Sequence, residues 1–301
     1  MLFIGSAAIQ AVESFNKYWV YHKSIPVDLF YHKNNSKELT EFSSSMEEYG
    51  NIYHQQKDRF NHIIDSFINS YKNKVFNIYW GYAHLICDNP EKTEAQGEVS
   101  PIISALKDLW KDTKKSLYIV SAYFVPGKNG TANLNAISRR GVSINILTNS
   151  LSSTDAIVVY AAWSRYRHKL LKNKIKVYEF KNSGYKVKNK MKSGASLHSK
   201  TMVIDERISW IGSFNLDGRS ALYNTEVIVA FDNKEFAKEL LVSMKHDMSK
   251  KESWHLYLKK GITYWQSNTG NVKKIRRVSP DTNIFTRIFC FLLRIIPEKM
   301  V

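Results

Sequence analysis

The chain has 301 residues, 44% of them hydrophobic and 24% charged, enough to bury one large core or two modest ones. Its formal charge of +17, from 44 Lys and Arg against 27 Asp and Glu, draws anions: nucleic acid, anionic lipid headgroups or phosphorylated substrates. Cys87 and Cys290 stand far apart without ligand spacing, which argues against a disulfide framework or structural zinc site and makes a reducing compartment the default. The opening residues lack the basic start of a secretory signal, and the most apolar window, 289–293, is flanked by Arg287 and Arg294 and is too short to span a membrane.

Apolar spacing over 8–20 predicts a helix. A polar stretch from 38 to about 74 sets Phe60, Ile63, Ile64 and Phe67 on one face and predicts a long second helix. Turn chemistry at 87–92, with the Thr/Gln/Gly stretch after it, predicts a domain boundary. A regular alternation follows: helix 102–110, strand 116–121, helix 130–139, strand 142–148, helix 154–172 and strand 175–180. Strands 197–204, 208–211 and 226–231 come next, and helix 235–244 closes the series. Such an order predicts an α/β sheet covered by helices on both faces, with a site at one edge.

The most informative run lies on the first of those last strands. Leu197 to Asp205 and then Gly212-Ser213-Phe214-Asn215 read H-x-K-x4-D-x6-G-S-x-N. By chance this arrangement arises in roughly one chain in 10^5 or fewer. Of nine histidines, His198 alone has Lys two residues on. Side chains at i and i+2 of a strand share a face, so one pocket receives an imidazole and an ammonium. Imidazole can attack phosphorus, and Lys200 can neutralise the phosphoryl oxygens as charge shifts in the transition state. Ser213 and Asn215 are candidate phosphate donors, and Glu226 is expected to hold the His198 ring in one tautomer. Asp205 completes the candidate catalytic set and is expected chiefly to stabilise the turn after the strand. No carboxylate cluster suited to paired metal ions stands beside the motif, so neither metal nor cofactor is expected.

These residues resemble the motif of the phospholipase D superfamily, especially its bacterial cardiolipin synthase branch. The likeness extends through Ser121-Ala122-Tyr123-Phe124-Val125-Pro126, Leu147-Thr148-Asn149-Ser150-Leu151, Tyr166 to Leu171, and Gly212 to Ser220 with Asn224-Thr225-Glu226. It is close over about 100–245. Ala122 and Gly218 replace a usual Pro, and Tyr160 stands where some relatives carry His. The resemblance implies His198 as nucleophile or general acid, Lys200 and Asn215 as phosphate contacts, and Glu226 as partner of His198. It implies a phospholipase D-like mixed sheet flanked by helices, one complete domain with a remnant of a first. The expected domains are therefore 1–95 as that remnant with linker helices, 96–270 as the motif-bearing domain, and 271–301 as a basic amphipathic tail.

Two-motif relatives build one site from two copies, and this chain carries one. Three expectations follow: a separate amino-terminal half, a homodimer pairing two His198 rings, or an inactive remnant left by amino-terminal truncation. The leading function is phosphatidyl transfer between phospholipids through a phosphohistidine. A homodimeric phosphodiesterase or nuclease is the alternative. In the tail, Lys273, Lys274, Arg276 and Arg277 precede an apolar 284–296 segment carrying Arg287 and Arg294. That composition suits a helix at an anionic membrane surface, so peripheral attachment at the cytoplasmic face of a bacterial inner membrane is expected. Nucleic acid is the weaker partner.

Overall fold

The computed structural model describes residues 3–26, 77–94, 100–181, 196–270 and 272–298, with a few isolated positions between 29 and 73. Two units are distinguished, Met1–Lys17 with Gly81–Val301, and Tyr18–Trp80. The helix expected over 38–74 lies outside the described residues.

The first unit holds ten described strands in one mixed sheet. In chain order these are β1 Tyr82–Cys87, β2 Ser116–Ser121, β3 Ser143–Asn149, β4 Lys176–Phe180 and β5 Lys200–Ile204. They continue with β6 Ile208–Gly212, β7 Val227–Asp232, β8 Ser253–Lys259, β9 Ile262–Thr269 and β10 Val272–Arg276. Their spatial order is β1-β7-β6-β5-β2-β3-β4-β8-β9-β10. Only β2, β3 and β4 run parallel to one another. The described helices are α1 Ser6–Trp19, α2 Pro101–Asp112, α3 Gly127–Arg139, α4 Ile157–Ser164, α5 Arg167–Lys172, α6 Gly218–Leu222, α7 Lys234–Asp247 and α8 Ile284–Leu293.

Period-2 alternation splits the apolar strand residues between two faces. Leu117 and Ile119, Ile144 and Ile146, and Met202 and Ile204 meet α2 to α5 and Cys290 of α8 in the larger core. Val120, Leu147 and Val203 point the other way, onto Ala237, Leu241 and Met244 of α7. Each fully buried Leu or Ile here contributes about 1.5–3 kcal/mol. Lys200 shares the parity of Met202 and Ile204, so the larger-core face sets its direction.

Four strands were not legible as strands. β1 pairs antiparallel with β7, which carries residues from before the expected 95/96 boundary into the motif-bearing sheet. β8 and β9 form a hairpin whose turn, Lys260-Gly261, has φ of 50° and 74° at its two central residues. Positive φ at both positions matches the twist of paired strands, and glycine adopts it without a Cβ penalty. Trp254 and Leu256 on β8 and Trp265 on β9 turn inward and belong to the core. β10, expected in the tail, is the outer strand of the sheet. The single helix expected over 154–172 is two: the Arg165 and Tyr166 amides donate three residues back, to the Ala162 (3.2 Å) and Trp163 (2.9 Å) carbonyls, and both side chains reach the residues after α8. Arg165 Nη1 donates to the Arg294 carbonyl (3.0 Å), and the Tyr166 hydroxyl donates to Glu298.

Two buried polar clusters tie these elements together. Fully buried Glu179 of β4 accepts from Trp265 Nε1 (2.8 Å), Trp163 Nε1, Tyr160 and Arg167 (each 3.1 Å). The Arg167 guanidinium also lies over the Trp265 and Tyr160 rings. Every element the carboxylate touches is thereby fixed against β4. Near the other edge, Lys92 Nζ donates to Asp88 (2.5 Å) and to the Ser220 carbonyl (2.8 Å), while Asp88 also accepts from the Glu226 amide (3.1 Å) and Ser100 Oγ. This pair joins the end of β1 to the start of β7. Both side chains are almost wholly enclosed. Lys92→Ala removes the ammonium from a buried ion pair and is expected to cost roughly 3–5 kcal/mol in denaturant unfolding. A change within the range of ordinary surface substitutions overturns that role.

Asp205 sits just past β5 with φ of 52°, followed by Glu206 at 56°, and turns the chain into β6. Its carboxylate accepts from the amides of Lys115 (2.7 Å), Lys114 (2.9 Å) and Ser116 (3.0 Å) at the start of β2. Burial alone would raise its pKa, but these three amides and the nearby Lys115 charge hold it below the ordinary carboxylate value. A carboxylate with a depressed folded pKa stabilises above its unfolded value, and the contribution fades as pH falls through the folded one. Asp205→Asn, which retains the tolerance for positive φ, is therefore expected to be less stable at neutral pH and to lose less stability than the wild type on acidification below about pH 4. Parallel acid-unfolding profiles for the two proteins would rule this out.

Candidate active site

The parallel strands β2 and β3 end where β5 and β7 begin and β6 ends, so five strand termini meet at one sheet edge. Ser121 pairs with Lys200 across the β2–β5 ladder. The Ala122 amide donates to the Ser199 carbonyl (3.0 Å), carrying the pairing one step beyond the strands. His198 lies in this extended lead-in and is exposed; its ring makes no hydrogen bond among the described residues. The Lys200 ammonium donates to the His198 carbonyl (2.7 Å).

Asn149, at the end of β3, grips the residue before the histidine. Its Nδ2 donates to the Leu197 carbonyl (2.8 Å) and the Ala122 carbonyl (3.1 Å), and its Oδ1 accepts from the Leu197 amide (3.0 Å) and Ser153 Oγ (3.0 Å). The side chain is buried and every hydrogen bond it can make on that side is used. Ser121 Oγ performs a matching task, accepting from the Leu216 amide (3.2 Å) and donating to the Tyr123 carbonyl (2.5 Å). The Ser121 to Pro126 segment is thus sewn to both parts of the motif.

Asn215 is buried, with Oδ1 accepting from the Tyr123 amide (3.4 Å) and Nδ2 free among the described residues. A free amide N–H₂ at a site edge is a ready phosphate donor. Gly212 has no room for any side chain, since a Cβ there would lie 2.1 Å from the Val227 carbonyl oxygen. That close approach lets β7 deliver Glu226 beside the Gly-Ser turn.

Glu226 departs from expectation. Its carboxylate accepts from Ser220 Oγ (2.8 Å), Asn224 Nδ2 (3.4 Å) and Ser213 Oγ, and it interacts electrostatically with Lys200. The His198 ring is not among its partners. Its lone pairs are occupied by neighbouring hydroxyls, so it orders the Gly-Ser turn and the ammonium instead of the imidazole. Ser213 is changed by the same bond: its hydroxyl hydrogen is committed to Glu226, while its oxygen accepts from the Val227 amide (3.0 Å).

Asp205 takes the turn-stabilising place expected of it and stands apart from the other catalytic candidates. Five strand residues of about 3.4 Å each set it some 17 Å from Lys200, at the opposite end of β5. It is a turn and strand-start residue, outside the site.

Two side chains without a distinctive signal join the edge. Exposed Asp155 accepts from the Tyr123 hydroxyl at 2.9 and 3.0 Å. Burial, then the hydrogen bond and charge of Asp155, push that phenol up to about 12. Asp217 caps α6 through the Ser220 amide (2.7 Å), and burial raises its carboxyl above the ordinary value. Partial burial lowers the Lys200 ammonium below its ordinary value, and Glu226, Asp155 and Asp217 oppose that shift. Among the described residues, no group of three or more His, Cys, Asp or Glu side chains has an arrangement able to hold a metal ion.

Residues 106–248 match the family model described as cardiolipin synthase, PLD-like domain. An uncharacterised protein of Helicobacter pylori strain 26695 is 38% identical over 99% of this chain and 59% of its own length. Cardiolipin synthase C of Escherichia coli K12 is 33% identical over 77% of this chain and 51% of its own length. The chain thus spans little more than half of these relatives. A solved phospholipase D family member, Nuc from Salmonella typhimurium, overlays with a TM-score of 0.46 at 17% identity, covering 60% of this chain and all of that one. With the H-x-K motif at the head of β5, residues 106–248, spanning β2 to α7, form a PLD-like domain similar to that of cardiolipin synthases.

Proposed function

We propose that the protein is a phosphatidyltransferase that makes cardiolipin from phosphatidylglycerol, using His198 as nucleophile. The observation that carries this reading is the gathering of His198, Lys200 and Asn215 at one sheet edge, with the segment around His198 held by Asn149. The imidazole nitrogen attacks phosphorus, and the bond from phosphorus to the glycerol oxygen breaks. Glycerol departs with a proton from a second acid, leaving a phosphatidyl group on the imidazole. A hydroxyl of a second phosphatidylglycerol then attacks the same phosphorus, the P–N bond breaks, and the hydroxyl proton returns to the base. Lys200 and the Asn215 amide meet the phosphoryl oxygens as their charge redistributes. The single motif leaves the second acid to another copy of the chain or to a separate half.

A homodimeric phosphodiesterase acting on nucleic acid is the second reading, favoured by the lone motif and the +17 charge. Purified protein over a range of concentrations, given phosphatidylglycerol vesicles, is expected to release glycerol and form cardiolipin detectable by mass spectrometry. Specific activity that rises with protein concentration is expected if two copies share a site. His198→Ala is expected to lose product by at least about a thousandfold. Wild-type turnover by that variant overturns the nucleophile assignment. DNA cleavage in chelator without lipid product replaces transfer by the second reading, and inertness toward both substrates at every concentration overturns a site shared by two copies in either reading.

Lys200 must be protonated to serve, so activity should fall as pH rises through its pKa. Asp155 is one of the carboxylates holding that pKa up. Asp155→Asn is therefore expected to move the alkaline limb of the pH–rate profile to lower pH. An unmoved limb, or one displaced upward, removes Asp155 from the electrostatics of the site.

A further inference from the structure

The outward face of α8 is apolar. Phe285, Ile288, Phe289, Phe291, Leu292 and Ile295 are 51–86% exposed and recur at i, i+3, i+4 and i+7 spacings along one stripe. A surface helix ordinarily turns its apolar side inward. Here the inward side is already occupied: Cys290 is buried, and Leu293 and Ile296 pack on the larger core. Arg165 holds the Arg294 carbonyl and pairs with Glu298 at 3.4 Å, so the helix is fastened to the body with its stripe facing out. Contiguous exposed apolar patches of this kind mark interaction surfaces.

The surrounding charge selects the partner. No Asp or Glu falls between Asp281 and Glu298. Arg287 and Arg294, one heptad apart, flank the stripe on one side. Immediately upstream, β10 and the turn after it bear Lys273, Lys274, Arg276 and Arg277, so residues 272–296 carry six basic side chains against one acidic one. A second copy docking through this same face would set its basic side chains against their own like. Nucleic acid would leave the Ile and Leu side chains in water. An anionic bilayer satisfies both halves, phosphates for the basic residues and acyl chains for the stripe. At ten residues, or about 15 Å, the helix is too short to cross a membrane and suits the plane of its surface.

We infer that α8 and the basic β10 edge dock the protein peripherally on an anionic phospholipid surface, with the Phe-rich stripe seated at the boundary between headgroups and acyl chains. The inference concerns attachment and stands apart from the chemistry of His198. Flotation with vesicles of equal parts phosphatidylglycerol and phosphatidylcholine tests it, with phosphatidylcholine alone as control. The wild type is expected to float with the anionic vesicles and to bind the neutral ones at least about tenfold less. The triple substitution Phe285→Ser, Phe289→Ser and Phe291→Ser should reduce anionic binding about tenfold or more. Lys273→Glu with Arg277→Glu, which leaves α8 untouched, should weaken it independently and abolish most of its salt dependence. His198→Ala should float like the wild type, which separates failure of docking from failure of catalysis. Equal flotation by the wild type and both surface variants overturns the inference. So does a vesicle-free dimer in sedimentation that the triple substitution dissociates, since the stripe would then be a protein interface.

Discussion

The site depends on the register of β5 between β2 and β6. Ser121 opposite Lys200 and Thr201 opposite Ile211 fix which side chains of the motif strand enter the larger core. A slip by one residue would send Met202 and Ile204 to the α7 face and turn Lys200 away with them. Burial of those two side chains therefore enforces the direction of the ammonium. The turn at Asp205 secures the far end of the same strand through three amides at the start of β2. The H-x-K-x4-D pattern thus reads as one strand with a functional head and a structural foot.

The geometry at the head is set by residues that lie behind the motif side chains. Asn149 holds Leu197 by both its amide and its carbonyl. Ser121 holds the Tyr123 and Leu216 backbones, and the Asp88–Lys92 pair holds the amide of Glu226. Placed on separate strands, these side chains make the geometry a property of the sheet. A buried polar group with one partner missing is costly, so each contact resists loosening. The acidic surroundings of Lys200 work in the same sense, opposing the loss of charge that burial would otherwise favour.

The central alternation was readable because its strands are short apolar runs separated by helices with strong apolar spacing. The boundaries of β2 and the presence of β3 to β7 and α2, α3 and α7 followed from that pattern. The outer strands escaped for a physical reason. β1, β9 and β10 mix exposed polar and inward apolar side chains at the sheet's margins, where one face or edge meets water. Trp254 and Trp265 alternate with His255 and Gln266 in the same way, which places the two indoles inward. At the site, the motif itself singled out His198, Lys200 and Asn215 as candidates. It could not reveal that Glu226 spends its lone pairs on Ser213 and Ser220, since hydrogen-bond partners depend on where β6 and β7 deliver those hydroxyls. The Asn149 clamp was hidden in a segment recognised only by likeness.

Cys290 has a consequence of its own. Its thiol lies sealed between α8 and the larger core, with its pKa raised by that burial. Alkylating reagents attack thiolates, so this sulfur stays inert while the carboxy-terminal helix is seated. Its rate of modification would clock the transient lifting of that helix, giving the chain a built-in gauge of how firmly its end is latched.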